Sequence, residues 1–288
     1  SPELHVRYRL TLDRIAMPHM PATGVSGVDL YGRDGDRWRW IEVTRPQGRD
    51  VEARLFRGAA AAAGAEGDGA RAFQLYLPLY NGVETLELGV PAGAAIEPLP
   101  ARGEGGKAIV CYGTSILHGA CASRPGMAWP AIVGRALDRE VVNLGFSGNG
   151  RMEAEVGRFL AELEPAVFVV DCLPNMSAGQ VAERTGPLVR QLREARPATP
   201  ILLVEDRTFA DAWFDPGRMA AHRERRAALR AAFAALQKDG VEGLSLLAGE
   251  TLLGDDDDGT TDGSHPNDLG MMRQADAVLA ALRPLLGG

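Results

Sequence analysis

A serine, a histidine preceded at three positions by an aspartate, a set of turn glycines and an asparagine stand in separate short blocks of this 288-residue chain. Ser115 closes Gly113-Thr114-Ser115. Gly148 lies in Asn143-Leu144-Gly145-Phe146-Ser147-Gly148, Asn175 in Leu173-Pro174-Asn175-Met176, and His265 in Asp262-Gly263-Ser264-His265-Pro266. A serine hydroxyl is a weak nucleophile until a base takes its proton. Of the histidines (His5, His19, His118, His222 and His265), the last has Asp262 at the spacing that orients an imidazole and stabilises its charged form. The backbone amides of Ser115 and Gly148 and the side-chain amide of Asn175 are candidate donors to an oxyanion. The chemistry these residue types suit is cleavage of a carboxylic ester through an acyl-enzyme, with no cofactor and no metal. Each block has an ordinary alternative. Gly-x-Ser is common by itself, Asp-x-x-His can be only a helix cap, and glycine and asparagine favour any turn.

What sets the blocks apart is their placement. From residue 107 onward, apolar runs predict strands at 108–112, 141–144, 167–170 and 201–204, with 244–247 as a candidate fifth. Between and after them, helices are predicted at 127–137, 152–163, 178–195, 219–238 and 269–282. Continuous apolar strands alternating with helices imply a parallel sheet covered on both faces, a three-layer α/β/α domain. Ligands bind such sheets at the carboxyl ends of the strands. Every block either follows a strand or precedes the last helix.

Residues 1–98 follow a different pattern. Residues 38–43 and 73–77 alternate with period two, Asn81-Gly82 is a turn dipeptide, and Leu86, Leu88 and Val90 alternate with Thr85, Glu87 and Gly89. This predicts antiparallel pairing with one face buried, hence a small all-β sandwich of jelly-roll type. The Ala-rich stretch 58–69 reads as a loop. Within the Pro/Gly/Ala-rich stretch 91–106, residues 99–106 read as the linker to a second domain at 107–288.

Further candidates lie near the same edge. His118, Glu205, Arg207 and Trp213 are candidate substrate-binding residues, with Phe214 beside the last as a possible wall of an acyl or sugar pocket. Surface, salt-bridged or packing roles are the plainer alternatives. The run Asp255 to Asp258 has no EF-hand spacing and reads as a solvated acidic loop.

The bulk composition narrows the partners. A formal charge of −7 and a pI near 5.4 argue against nucleic acid, which wants a basic face. No stretch approaches the roughly 20 apolar residues of a membrane helix. Three cysteines, Cys111, Cys121 and Cys172, form no disulfide framework and show no metal-ligand spacing with a histidine. Reduced thiols, and the lack of a charged n-region with an apolar h-region in residues 1–10, lean cytoplasmic. A leader removed ahead of Ser1 would leave no trace. The oligomeric state is not set by the sequence.

Taken together, residues 113–265 resemble the SGNH, or GDSL-like, hydrolase superfamily. The nucleophile block matches at Ser115, with Gly-Thr-Ser in place of the usual Gly-Asp-Ser. The second block matches at Gly148 and the third at Asn175, where Leu-Pro-Asn-Met replaces Gly-x-Asn-Asp. The last block matches at Asp262 and His265. Gly27-Val28-Asp29-Leu30-Tyr31 is similar to the Gly-x-Asp-Leu-Tyr motif of a β-sandwich domain that precedes a subset of these hydrolases. The resemblance implies a flavodoxin-like α/β/α catalytic domain and a serine esterase. For this subset it implies a carbohydrate or natural-product acyl ester as substrate. An acyltransferase using the same acyl-enzyme and a non-catalytic glycan-binding protein are the rival readings. A lipase fits less well, because aromatic residues make up only 6% of the chain and no apolar lid is evident.

Overall fold

The fold was analysed in a computed structural model, which describes residues 1–58, 71–99 and 106–287. Apart from Gly58, the Ala-rich stretch falls outside the described residues, as does most of the 99–106 linker. The amino-terminal part forms two antiparallel sheets. One has strand order β4 (Asp50–Arg57), β1 (Glu3–Leu10), β6 (Val83–Gly89). The other has order β3 (Arg37–Val43), β2 (Asp29–Asp34), β5 (Phe73–Tyr76). In β1 the alternation is clean: Leu4, Val6, Tyr8 and Leu10 point inward and are buried. They meet Val28, Leu30 and Leu55 in the core between the sheets. Each such large apolar side chain contributes roughly 2 kcal/mol by leaving water. The Tyr8 hydroxyl lies 2.7 Å from Thr44 Oγ1 and donates to the Ser26 carbonyl at 3.0 Å, and burial pushes its pKa up to about 12.

The second part is a five-stranded parallel sheet. Its strands are β7 (Ile109–Gly113), β8 (Val141–Gly145), β9 (Val167–Asp171), β10 (Ile201–Val204) and β11 (Leu244–Leu247), in the order β8-β7-β9-β10-β11. Helices cover both faces, so alternate residues of one strand feed different layers. Val110 and Tyr112, Phe168 and Val170, Ile201 and Leu203 pack with α4 (Ala154–Glu162), α5 (Ala178–Ala195) and α6 (Pro216–Lys238). Ile109 and Cys111, Val167 and Val169, Leu202 and Val204 pack with α3 (Trp129–Ala136) and α7 (Asp268–Leu285). This is the three-layer flavodoxin-like arrangement expected from the sequence. Two short helices complete the order: α1 (Ala22–Val25) and α2 (Ser115–His118). Helix α4 begins two residues later than its pattern suggests, because Met152 takes a left-handed φ of 55° ahead of it. Helix α3 begins at Trp129 because Pro125–Met127 form a separate 3₁₀ turn.

The sandwich is tied to the catalytic half through the Asp29-Leu30-Tyr31 stretch. Asp29 is fully buried and accepts from Trp40 Nε1 at 3.0 Å, Arg124 Nη1 at 2.9 Å and the Gly126 amide at 2.8 Å. Burial pushes its carboxyl pKa up, against the pull of Arg124 and the other donors. The Arg135 guanidinium lies 4.0 Å over the Tyr31 ring, and Arg124 donates to the Tyr31 hydroxyl at 2.5 Å. A Cβ at position 126 would stand 2.4 Å from the Tyr31 ring, so only glycine allows this approach.

Candidate active site

Strand β7 lies inside the sheet between β8 and β9, and the chain turns off its carboxyl end directly into α2. The topology switches direction at β7, since β8 lies on one side of it and β9 on the other. Crevices at such points are the usual sites of α/β sheets. Thr114 is the N-cap of α2, and its hydroxyl accepts from the Ile116 amide at 3.3 Å. The threonine that replaces the usual aspartate therefore has a local role, fixing the turn that presents Ser115. As the first residue of the helix, Ser115 has an amide with no intrahelical acceptor.

The loop before α7 returns His265 to this point. Ser115 Oγ and His265 Nε2 are 2.9 Å apart, and His265 Nδ1 is 2.8 Å from Asp262 Oδ2. Asp262 also accepts from the His265 amide at 2.8 Å and the Ser264 amide at 3.1 Å. Burial opposes charge on Asp262, but the hydrogen bonds from His265 and Ser264 outweigh it and hold the carboxyl below the usual carboxylate range. With the carboxylate on Nδ1, the arrangement leaves Nε2 to accept the serine proton.

Against the Gly113-Thr114 turn, residues 146–150 form a turn of their own, in which the Asn149 amide donates to the Phe146 carbonyl at 2.9 Å. Gly148 and Gly150 have φ of 73° and 71°, and a Cβ at 150 would stand 2.0 Å from the Gly113 carbonyl oxygen. Asn175 belongs to the turn Leu173–Asn175 after β9, and its Nδ2 donates to the Asn149 carbonyl at 2.6 Å. That bond uses one amide hydrogen and leaves the other available. The structure thus joins Asn175 to the turn that carries Gly148.

The remaining sequence candidates are placed differently. His118 reaches the sandwich half: its Nε2 bonds the Leu79 carbonyl and its ring stacks on Tyr80 at 4.3 Å, while burial lowers its pKa. Glu205 and Arg207 are both fully buried and offer no surface to a substrate. Glu205 accepts from Arg230 at 2.5 and 2.8 Å and from the Gly249 amide at 3.1 Å, and Arg207 donates to Asp171 at 2.5 Å. Trp213 and Phe214 are 71% and 78% exposed. Their loop is tied to the triad loop by the Ala210 amide, which donates to the Gly263 carbonyl at 2.9 Å. Asp256, within the acidic run, pairs with Arg273, which holds its pKa at about 2. A groove of about 660 Å³ between the sandwich and α3 is lined by residues such as Phe73, Tyr76, Pro130 and Val141, and no triad residue lines it. The sequence reading missed His19, whose ring centroid lies 5.9 Å from that of His265. Its block, Met17-Pro18-His19-Met20, carries no periodicity or motif that would have singled it out.

A parallel flavodoxin-like sheet with a serine, a histidine and an aspartate in hydrogen-bonded sequence at its carboxyl edge defines an SGNH-type carboxylic ester hydrolase. Residues 106–283 match the model of the GDSL-like Lipase/Acylhydrolase family, and the chain belongs to that family. Residues 1–96 match the model described as the N-terminus of Esterase_SGNH_hydro-type. Among solved structures, the chain is similar to a protein from Bacteroides ovatus ATCC 8483 classed as a GDSL-like lipase. That likeness is at 33% identity, covers 100% of this chain and 82% of the other, and has a TM-score of 0.89. It shares its fold with the salicylyl-acyltransferase SsfX3 from a tetracycline biosynthetic pathway (19% identity, 99% and 81% covered, TM-score 0.71). The fold also matches that of a family two carbohydrate esterase from Clostridium thermocellum in complex with cellohexaose (15% identity, 99% and 90% covered, TM-score 0.66). No curated protein sequence matches the chain. Among the described residues, no helix is long and apolar enough to cross a membrane.

Proposed function

We propose that the protein is a serine esterase that cleaves an acyl group from a carbohydrate or natural-product alcohol, with Ser115 as nucleophile. The observation that carries this reading is the continuous chain Ser115 Oγ, His265 and Asp262, with contacts of 2.9 and 2.8 Å. His265 takes the Ser115 proton as Oγ attacks the ester carbonyl. The oxyanion is held by the Ser115 and Gly148 amides and by the second hydrogen of Asn175. The alcohol leaves with the proton from His265, and water, activated by the same ring, releases the acid. Asp262 fixes the tautomer and stabilises the imidazolium. The substrate class is supported by the fold shared with a carbohydrate esterase and a salicylyl-acyltransferase, and by the exposed aromatic pair Trp213 and Phe214 at the rim, which suits a sugar or aryl face. Residues 1–98 act as a sandwich domain that buttresses the catalytic domain at 107–288.

Hydrolysis is favoured over acyl transfer by the openness of the triad: the His265 and Asp262 side chains are 24% and 33% exposed, so water reaches the acyl-enzyme. The test is fluorophosphonate labelling read by intact mass on the wild type, Ser115→Ala and His265→Ala. One adduct on the wild type, absent in Ser115→Ala and much slowed in His265→Ala, is expected. A folded wild type that takes no adduct would overturn the reading and favour a glycan-binding protein. Product analysis on an acyl-ester panel, with and without an alcohol acceptor, then separates hydrolysis from transfer.

A further inference from the structure

Metal-donor side chains of three kinds converge beside Ser115 from separate stretches of the chain. His19 comes from a tight turn in the sandwich half, closed by reciprocal 3.0 Å bonds between Met17 and Met20. Cys121 comes from the turn after α2, where it takes a left-handed φ of 69°. Asp262 and His265 come from the loop before α7. One donor atom from each of the four lies within 4.8 Å of every other.

The backbone that holds these donors is packed rather than loose. Met20 and Cys121 belong to one buried cluster with Val25 and Ala120, so the turns bearing His19 and Cys121 rest on each other. Asp262 is fixed by two backbone amides. Two imidazoles, a thiolate and a carboxylate are the ligand types of tetrahedral zinc, bound at about 2.0–2.3 Å. Magnesium and calcium select oxygen and would not select this set. Donors around a tetrahedral zinc stand roughly 3.3–3.8 Å apart, as those bond lengths require. From separations within 4.8 Å, reaching that geometry takes side-chain rotations of about an ångström at the donor atoms of His19, Cys121, Asp262 and His265.

We propose that His19, Cys121, Asp262 and His265 form a site for one zinc-class divalent ion, and that its binding switches off acyl chemistry at Ser115. The switch rests on the reading of Ser115 and His265 as nucleophile and base, whereas the binding does not. As the ion binds, the Cys121 S–H bond breaks, its proton passes to solvent, and a sulfur–metal bond forms. Whichever ring nitrogen His265 gives to the metal, it gives up either Ser115 or Asp262. Either loss removes the base. The sequence hid this cluster because its members are scattered along the chain and only Asp262 and His265 are near neighbours.

The experiment measures zinc and cobalt binding to Ser115→Ala, which keeps the four donors and lacks the nucleophile. The expected result is one ion per chain, with a near-ultraviolet thiolate-to-cobalt charge-transfer band that Cys121→Ser removes. His19→Ala is expected to bind zinc at least about tenfold more weakly, since loss of even an outer supporting group costs that much. With Ser115 intact, His19→Ala keeps its basal rate on p-nitrophenyl acetate but needs at least about tenfold more zinc for half inhibition, by the same reasoning. No stoichiometric ion, no sulfur–cobalt band, or zinc inhibition unchanged in both His19→Ala and Cys121→Ser would overturn the proposal. Should Cys121→Ser fail to fold, His19→Ala, outside the buried cluster, carries the test. Ion binding on a metal-free chain that takes no fluorophosphonate would retain the site and overturn the switch, which keeps the two failures apart.

Discussion

Among the described residues, two Asp–His pairs are built from the same residue types and are put to different uses. Asp262 and His265 meet at 2.8 Å with the ring's other nitrogen 2.9 Å from a serine hydroxyl. Asp206 and His222 meet at 2.6 Å, and both are completely buried. There the second ring nitrogen accepts from the Phe209 amide at 3.3 Å, and the carboxylate is shared with Arg225 at 2.9 Å. A nitrogen that already accepts a backbone N–H has no lone pair for a substrate proton. An Asp–His pair becomes a base only when its free nitrogen faces a hydroxyl that a substrate can also reach. Buried, and with both ring nitrogens already engaged, the Asp206–His222 pair holds the end of β10 against α6.

The comparison breaks most sharply on activity. His265→Ala is expected to lower kcat by roughly four to six orders of magnitude, with stability changed by less than about 1 kcal/mol. His222→Ala should leave kcat/KM within about tenfold of the wild type; a loss as deep as that of His265→Ala would mean the buried pair serves the chemistry. The next effect tests what surrounds the working pair. Asn175→Ala removes the proposed third oxyanion donor and should lower kcat by about a hundred- to a thousandfold with KM little changed, as read in steady-state kinetics. Denaturant unfolding reverses the ranking. His222→Ala leaves Asp206 buried beside Arg225 alone and should cost about 3 kcal/mol, well above the loss in His265→Ala. Around the open pair, Trp213→Ala should raise KM by about three- to tenfold for a sugar or aryl ester, with kcat held, which corresponds to the roughly 1 kcal/mol of one aromatic contact. The smallest effect is in pH. Because its folded-state pKa lies below the ordinary carboxylate value, Asp262 contributes stability above that ordinary value, and the contribution is lost as pH falls through the folded pKa. Unfolding curves of Asp262→Asn should therefore lose part of the wild type's acid-side decline.

The catalytic half was legible in the sequence because its signals are local. A strand buried on both faces, such as Val167–Asp171, is an unbroken apolar run whatever its neighbours are. The chemically able residues follow strand ends, where the chain itself announces them. Glu205 and Arg207 show what local signals leave out. Both follow β10 on the active edge, yet their partners, Arg230 and Asp171, lie far off in the chain, and those partners decide that the charges turn inward. His118 is a similar case. It follows Ser115 closely, but Leu79 and Tyr80 from the sandwich half claim its ring. In the sandwich half, the alternation in β1 states which face is buried, but nothing in it says that Asp29 of β2 reaches across to Arg124 and Gly126.

That reach limits how the halves can be exchanged. Asp29 enters a buried interface where two of its three donors, Arg124 and the Gly126 amide, come from the segment between α2 and α3, the same segment that leads away from Ser115, and the third, Trp40, comes from the sandwich itself. A catalytic half joined to another partner would present Arg124 without its carboxylate, and a sandwich moved elsewhere would carry Asp29 without the Arg124 guanidinium. The two halves are therefore not interchangeable cassettes. Replacing either half alone is expected to lose the Asp29 contact unless both of its sides are carried over together.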